Sequence, residues 1–227
     1  MIITLIIWLF KKYAIPAMVN YKGRAALKFG KLLKVPVAVV LLSITSVRLY
    51  ATETVTKYNV LHSGKVVGHL NFYQKNTGDE LYLKMVSEVK MKFIFSINVN
   101  CNEESTFKNG KLISSHVLRH VNGKEKANRE TKAAGNAYLT LAEGKSGRVE
   151  QAGISNNLML LYCHEPADGN LVYSDNFQQF LIVKKAGAHV YRIDLPDGNY
   201  NYYTYANGIC NKVDIHHSLY TIQVQLA

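Results

Sequence analysis

The chain has 227 residues, of which 48% are hydrophobic and 19% charged, and its formal net charge is +11. The apolar fraction excludes a disordered chain, and three cysteines are too few for a disulfide-rich scaffold. The positive charge would favour nucleic acid or an anionic membrane as partner, if it were spread over the folded part.

The basic residues are concentrated at the start of the chain. Residues 1–51 contain eight of the 27 Lys and Arg residues and no Asp or Glu. Residues 52–227 therefore hold 19 basic and 16 acidic residues, a net charge of +3. We expect no nucleic-acid partner, because most of the positive charge lies outside the predicted fold.

Residues 1–51 are predicted to be a leader. Three lysines within residues 28–34 precede the 13-residue apolar run 35–47, as in the basic and apolar regions of a signal peptide. That run is shorter than the roughly 20 residues of a membrane-spanning helix. Cleavage is predicted after Ala51, although Leu49 is larger than the residue usually found at that position.

A second apolar stretch, residues 1–10, leaves two interpretations of the leader. Either translation starts at Met18 and the signal peptide is ordinary, or the leader starts at Met1 and has two parts. A further alternative is that residues 35–47 form a retained anchor or a buried core helix. Export would place the protein in the periplasm or at the cell surface, an oxidising compartment.

The three cysteines can form at most one intramolecular pair. Whether Cys163 and Cys210 pair is left open by the sequence. Cys101 is interpreted as a small, buried apolar residue.

Residues 52–227 are predicted to be a single antiparallel β domain. Alternation of apolar and polar residues begins at Val55 and dominates the rest of the chain. From Leu81 to Cys101 the odd positions are mostly apolar and the even positions mostly polar. One flat strand of that length would span about 70 Å. We therefore expect two strands, or one long strand that bends near residues 92–96.

Hairpin turns are predicted at four dipeptides, because Asn-Gly and Asp-Gly suit type I′ turns. The four are Asn109-Gly110, Asn122-Gly123, Asp197-Gly198 and Asn207-Gly208. Alternating segments flank them, at residues 112–121, 124–133, 190–195, 200–206, 209–215 and 219–226.

A short helix is predicted over Ser155–Tyr162, where a capping serine precedes a compact apolar cluster. The fold class is therefore all-β: an antiparallel meander of about ten strands with one short helix. Such a meander forms a curved sheet, a barrel or a half-barrel.

No catalytic, metal or cofactor site is predicted. His116 and His120 have the spacing of zinc ligands on a helix, but on a strand that spacing spans about 13 Å. A hydrolase with a His and carboxylate site across strands remains an alternative. It requires one of four histidines to meet an acid in a cleft: His69, His116, His120 or His189.

Two aromatic segments are the candidate ligand-binding residues. They are Phe93 and Phe95 on the long apolar face, and Tyr200, Tyr202, Tyr203 and Tyr205 on one strand. Such rings either line a ligand surface or pack in the core and at its rim. The expected ligand is apolar, or a component of the cell envelope.

Several segments carry a family resemblance: Tyr58–Leu70, Phe93–Phe95, Glu104–Ser115, Leu195–Tyr205 and Asn207–Cys210. They resemble an uncharacterised family of exported Bacteroidota proteins, a domain of unknown function. The order of elements is also similar to wider exported β-barrel domains of unknown function.

The resemblance implies an all-β fold and a periplasmic or surface location, and it brings no catalytic residues. We expect a non-enzymatic protein that binds an apolar ligand or a partner. A structural or interaction module with a packed core is the alternative, besides the hydrolase.

Overall fold

The computed structural model describes residues 52–92, 96–218 and 220–227. These residues form one antiparallel sheet of fourteen strands and one 3-10 helix, Leu158–Tyr162, called the plug helix below. The strands are β1 Thr52–His62, β2 Lys65–Thr77, β3 Glu80–Lys92, β4 Ser96–Lys108, β5 Lys111–Val121, β6 Lys124–Ala134, β7 Ala137–Ala142, β8 Lys145–Val149, β9 Leu171–Ser174, β10 Gln179–Gly187, β11 Val190–Asp194, β12 Tyr200–Ala206, β13 Ile209–His217 and β14 Tyr220–Leu226.

The sheet is a meander whose first and last strands pair in its middle. Apart from β8 and β9, strands that follow one another in the chain pair with each other, and β1 also pairs with β14, so that Tyr58 lies opposite Leu226. The two edges of the sheet are β8 and β9. The predicted all-β antiparallel meander is confirmed, while the expected ten strands are too few.

The long alternating segment is two strands. Strands β3 and β4 pair along their full length, from Glu80 opposite Lys108 to Lys92 opposite Ser96. The expectation of two strands is therefore confirmed, with the break between Lys92 and Ser96. Residues 93–95, which connect the two strands, lie outside the described residues.

Three of the four predicted type I′ turns have the backbone that this turn requires. Both central residues have positive φ at Asn109-Gly110, Asn122-Gly123 and Asn207-Gly208. In the fourth, only Gly198 has positive φ. There the connection between β11 and β12 is longer and contains residues 195–199. The amide of Leu195 donates to Asn199 O at 2.8 Å across this loop.

The four strands that the sequence analysis did not predict are β7 to β10. Their turn residues and their alternation of apolar and polar residues are weak indicators of strands. Glu143 adopts a φ of +48° in the turn between β7 and β8, although glutamate rarely occupies the left-handed region. In β10, Ile182 is 53% exposed between buried Leu181 and Val183. The three residues therefore look like a continuous apolar run and not like an alternating strand.

The inner face of the sheet forms one hydrophobic core around the plug helix. Met159 to Tyr162 are all buried in it. Tyr162 stacks on Phe72 at a centroid distance of 5.6 Å and meets Tyr58 edge-on at 5.5 Å. The helix is shorter than the predicted Ser155–Tyr162, and the residue that caps its amino terminus is Asn157.

The segment before the plug helix is tied to the sheet by a buried tyrosine. Tyr138 OH donates to Leu112 O at 2.9 Å and accepts the amide of Ile154 at 2.9 Å. The amide of Leu112 donates to Ile154 O at 2.8 Å. These bonds hold the segment across β5 and β7, so the plug helix has a fixed point of entry.

The sheet is rolled so that the β9–β10 turn lies against β5, β6 and β7. Asn176 in this turn accepts from Arg119 Nη2 at 2.8 Å through its side chain and from Arg129 through its carbonyl. Gln178 Nε2 donates to the carbonyls of Glu130 and Leu141, at 2.8 and 3.1 Å. Within the described ranges no backbone ladder joins β8 to β9, so side chains hold the two ends of the sheet together.

Asn157 connects the plug helix, β4 and the end of β9. It is fully buried, and its Nδ2 donates to Ser105 Oγ at 2.9 Å and to Asp175 Oδ2 at 2.8 Å. Its Oδ1 accepts the amide of Leu160 at 3.1 Å. One side chain therefore satisfies three groups that belong to three different parts of the chain.

Replacing Asn157 by Ala should destabilise the protein by about 2 to 4 kcal/mol, because it removes a helix cap and leaves buried polar partners unsatisfied. The measurement is urea unfolding of the purified protein. Asn156→Ala is the matched control, since that side chain is exposed. An equal loss of stability in both variants would contradict this role of Asn157.

Candidate functional site

Two of the four candidate tyrosines of β12 are core residues. Tyr203 and Tyr205 are 3% and 4% exposed and point to the inner face. Tyr205 OH donates to Leu161 O at 2.7 Å, and Tyr203 meets Tyr162 edge-on at 6.4 Å. Their rings are therefore occupied by packing against the plug helix.

The other two tyrosines lie on the outer face. Tyr200 stacks on His216 at 4.6 Å, and the guanidinium of Arg192 lies 4.0 Å from the centre of the same ring. Arg192 Nη1 also donates to Tyr202 OH at 3.3 Å. These rings form a cross-strand cluster of their own. The four tyrosines thus belong to two opposite faces and do not line one surface.

The other predicted ligand-binding residues and the predicted cleavage point fall in segments that the structure does not describe. Phe93, Phe95 and the predicted cleavage point after Ala51 lie outside the described residues.

Two acidic side chains that the sequence did not single out lie on the inner face. Glu103 accepts a weak hydrogen bond from the Cys101 thiol at 3.5 Å, and Asp175 accepts from Asn157. Burial raises the pKa of Glu103, while the nearby Arg119 lowers it. The repulsion between Glu103 and Asp175 adds to the effect of burial on Asp175.

The pKa of Asp175 is raised to about 7 from its ordinary value of 3.8, chiefly by burial and also by the charge of Glu103. The Ser115 hydroxyl and Asn157 lower it in part. Asp175 is 4% exposed, and its Oδ1 makes no hydrogen bond within the described residues. A carboxyl in this position is destabilising when ionised, because an unfolded chain solvates it better.

Asp175 should make folding pH-dependent in a definite direction. Its folded pKa is above its unfolded pKa, so its contribution to stability is full below about pH 4 and is lost as the pH rises to about 7. Asp175→Asn should therefore raise stability relative to wild type at pH 8, by up to about 4 kcal/mol, and less at pH 4.

The measurement is urea unfolding at pH 4, 6 and 8. Asp197→Asn, at an exposed turn, should leave the pH profile unchanged. A stability difference between Asp175→Asn and wild type that does not vary with pH would contradict the assignment.

Two of the four candidate histidines, His116 and His189, lie close to an acidic side chain. His189 Nδ1 lies 2.9 Å from Glu165 Oε1, but its side chain is 70% exposed. His116 Nε2 bonds to Asn128 Oδ1 at 3.0 Å, in a small depression that also contains Glu130. No group of three or more His, Cys, Asp or Glu side chains in the described part of the chain could hold a metal ion.

All three thiols are free and poorly nucleophilic. Burial raises the pKa values of Cys101, Cys163 and Cys210 to about 12, so the thiolate is scarce at neutral pH. Cys163 Sγ donates to Leu160 O at 3.4 Å, and Cys210 Sγ to Lys212 O at 3.5 Å.

A groove of about 600 Å³ lies on the outer face of β1, β2 and β3 and is the candidate binding site. This outer groove is lined by Glu53, Tyr73, Lys75, Thr77, Glu80, Tyr82, Lys84 and Val86. Its strands are long and central, and β2 and β3 are paired on both sides, whereas the ladder of β1 with β14 begins only at Tyr58. Register places Tyr73 opposite Lys84 and Tyr82 opposite Lys75, so rings and ammonium groups alternate across β2 and β3.

One of the charges that line the groove is paired with a neighbouring strand. Lys84 Nζ lies 2.8 Å from Glu104 Oε1 on β4, and this hydrogen bond lowers the pKa of Glu104 and raises that of Lys84. Partial burial and the neighbouring Glu104 raise the pKa of Tyr82, which keeps its hydroxyl protonated. The site therefore offers neutral ring surfaces beside two glutamates and two lysines, whose charges balance.

Two smaller depressions continue the groove. One of about 340 Å³ shares Val86 with it and extends over His69, Asn71 and Glu88. The other, of about 180 Å³, shares Tyr82 and extends over Glu104, Ser114, His116, Glu130 and Lys132. The three adjoining depressions, called the track below, lie over the outer face of β1 to β6.

The outer groove was missed at the sequence level because polar faces were assigned to solvent. The available signal was aromatic: Tyr73 and Tyr82 interrupt polar faces of β2 and β3. Alternation assigns such rings to the outside but does not show that the surface there is concave.

The chain belongs to the family described as domain of unknown function DUF6134. The family model matches residues 58–227, which is most of the chain and nearly all of the described sheet. A search of curated proteins found no significant match. None of the described helical residues belongs to a helix with the length and hydropathy of a membrane span.

A solved structure with a similar fold is the crystal structure of a β-barrel-like protein of domain of unknown function DUF1849 from Brucella abortus. Its TM-score is 0.50 at 11% identity, over 79% of this chain and 97% of that chain. At this identity the likeness concerns the fold alone. It confirms the barrel-like character of the DUF6134 sheet.

Proposed function

We propose that this DUF6134 protein is an exported, non-enzymatic binding module of the cell envelope. In this proposal it holds its ligand or partner in the outer groove, and the rolled sheet is the rigid support. The observation that carries the proposal is the contrast between the two faces of the sheet. The plug helix occupies the inner face, where the depression beside Leu81, Phe107 and Leu160 measures about 250 Å³, whereas the outer groove measures about 600 Å³.

The packed inner face favours external binding. Tyr58, Phe72 and Tyr203 all contact Tyr162 of the plug helix, so the chain itself fills the space where an apolar ligand was expected. The outer groove is about 600 Å³, within the range of about 300 to 1,000 Å³ typical of ligand sites. Central strands with ladders on both sides give it a stiff floor.

Export is supported by the sequence of the leader. The lysines within residues 28–34 and the apolar run 35–47 have the order and length of a signal peptide. A folded part with a net charge of +3 also suits an envelope partner better than nucleic acid.

A non-enzymatic role is supported by the protonation of the cysteine thiols and by the contacts of the histidine and acidic side chains. The thiols have pKa values of about 12, and the acid that contacts His189 does so at an exposed surface. The buried Asp175 is bonded to Asn157, which is a structural contact within the core.

Binding is tested by photo-crosslinking in the native host, with a photoreactive phenylalanine at position 82. A discrete adduct should form there, and Tyr73→Ala in the same chain should reduce it at least about fivefold. A probe at position 182 is the control, because Ile182 is exposed on the outer face of β10. No adduct at position 82, or equal adducts at both positions, would contradict binding in the outer groove.

Export is tested by the amino terminus of the protein recovered from the host. We expect the mature chain to begin at Thr52, and Ala51→Phe to block processing because a large residue does not fit before the cleavage point. Ala51→Ser should still be processed. A cytoplasmic protein with an intact leader would overturn this part of the proposal.

A further inference from the structure

We propose that the outer groove binds a polysaccharide chain of low net charge. This inference rests on the proposed function and deepens it, because it names the chemical class of the ligand. Four features of the groove carry it: its charge balance, its rings, the pairing of its strands and its extent.

The first feature is the charge balance. The groove contains two glutamates and two lysines, namely Glu53, Glu80, Lys75 and Lys84. Lys84 is already paired with Glu104 at 2.8 Å, and Lys90 is paired with Glu88 at 2.7 Å in the adjoining depression. No single sign of charge prevails, so the surface does not attract a polyanion such as nucleic acid.

The second feature is the pair of rings. Tyr73 and Tyr82 are diagonal neighbours on β2 and β3, which places their Cβ atoms within about 7 to 8 Å. Both side chains are half-buried, so part of each remains accessible. A tyrosine combines an apolar ring with a polar end, and a sugar ring has the matching combination of apolar C–H faces and hydroxyl edges.

The groove also supplies both kinds of hydrogen-bonding group close to the rings. Ammonium groups at Lys75 and Lys84 donate, and carboxylates at Glu53 and Glu80 accept. Hydroxyl groups both donate and accept, so a polyhydroxylated ligand can bond to either kind without bearing a charge of its own.

The third feature argues against a peptide ligand. A peptide that adds as a strand needs an exposed sheet edge, whereas β2 and β3, which supply seven of the eight lining residues, are paired on both sides. A peptide that docks as a helix needs an apolar groove, whereas among the described residues Val86 is the only aliphatic side chain that lines this one.

The fourth feature is the extent of the track. The outer groove shares Tyr82 with one depression and Val86 with the other, so both adjoin it and the three together extend over six strands. A chain molecule can occupy all three at once, whereas a single sugar would fill only part of the groove.

The test uses the protein purified from its host and the high-molecular-mass polysaccharide fraction of that host's envelope, treated with protease and nuclease. We expect retention of wild-type protein by the immobilised fraction, and loss of retention after periodate oxidation of its vicinal diols. The double variant Tyr73→Ala/Tyr82→Ala should bind at least tenfold more weakly.

Two controls separate recognition from folding. Tyr202→Ala removes an outer-face tyrosine of β12, outside the groove, and should bind as wild type does. Tyr82→Phe keeps the ring and should stay within about threefold of wild type. Unfolding midpoints are measured for every variant, so that a loss of structure is recognised as such.

No retention, or retention that is indifferent to periodate or to the double variant, overturns the polysaccharide ligand. If position 82 then still crosslinks to a protein, the proposed binding face stands and only the ligand class is wrong. If both retention and crosslinking fail, the outer groove is not a binding surface and the proposed function fails with it.

Discussion

The described part of the structure depends on two constraints on its fourteen-stranded sheet. The plug helix must fill the inner face, and side chains must join the two ends, because no ladder joins β8 to β9 among the described residues. A barrel with a continuous ladder removes its edges by backbone pairing. Here the two ends of the sheet meet through side chains, with Asn176 and Gln178 bonded to β5, β6 and β7. Asn157 then connects this region to the plug helix. Because its partners are fully buried, each lost hydrogen bond carries the cost of an unsatisfied polar group.

Filling the inner face with the plug helix has a consequence for function. Tyr162 places its ring among Tyr58, Phe72 and Tyr203, so the aromatic surface of the core is used for packing. The outer face is stiffened by backbone pairing, since β2 and β3, which form most of the groove, are paired on both sides. A binding site on such a floor needs little reorganisation to hold a ligand, which reduces the entropic cost of association.

Family membership and fold likeness leave the function to be argued from the surface. DUF6134 is described only as a domain of unknown function, and the similar DUF1849 structure shares 11% of residues. At that identity, equivalent strands can bear unrelated surfaces, because function resides in sites and not in the fold. The paired charges and rings of the outer groove are properties of this chain's own residues. They are therefore the basis on which binding is proposed.

The sequence by itself determined the fold class and most of the strands. Alternation and Asn-Gly turns are local signals, so the hairpins at Asn109, Asn122 and Asn207 could be predicted from them. The β7–β8 hairpin could not, because Glu143 takes a left-handed backbone that its side chain does not favour.

Only the tertiary structure decided the rest, since it depends on contacts between distant residues. Tyr203 turned inward and Tyr202 outward on the same strand. Asp175 met Asn157 and Glu103 in the core, and Tyr73 and Tyr82 came to share one groove. Alternation assigns a residue to one of two faces, but which face is filled and which is concave follows from the curvature of the sheet and the position of the plug helix.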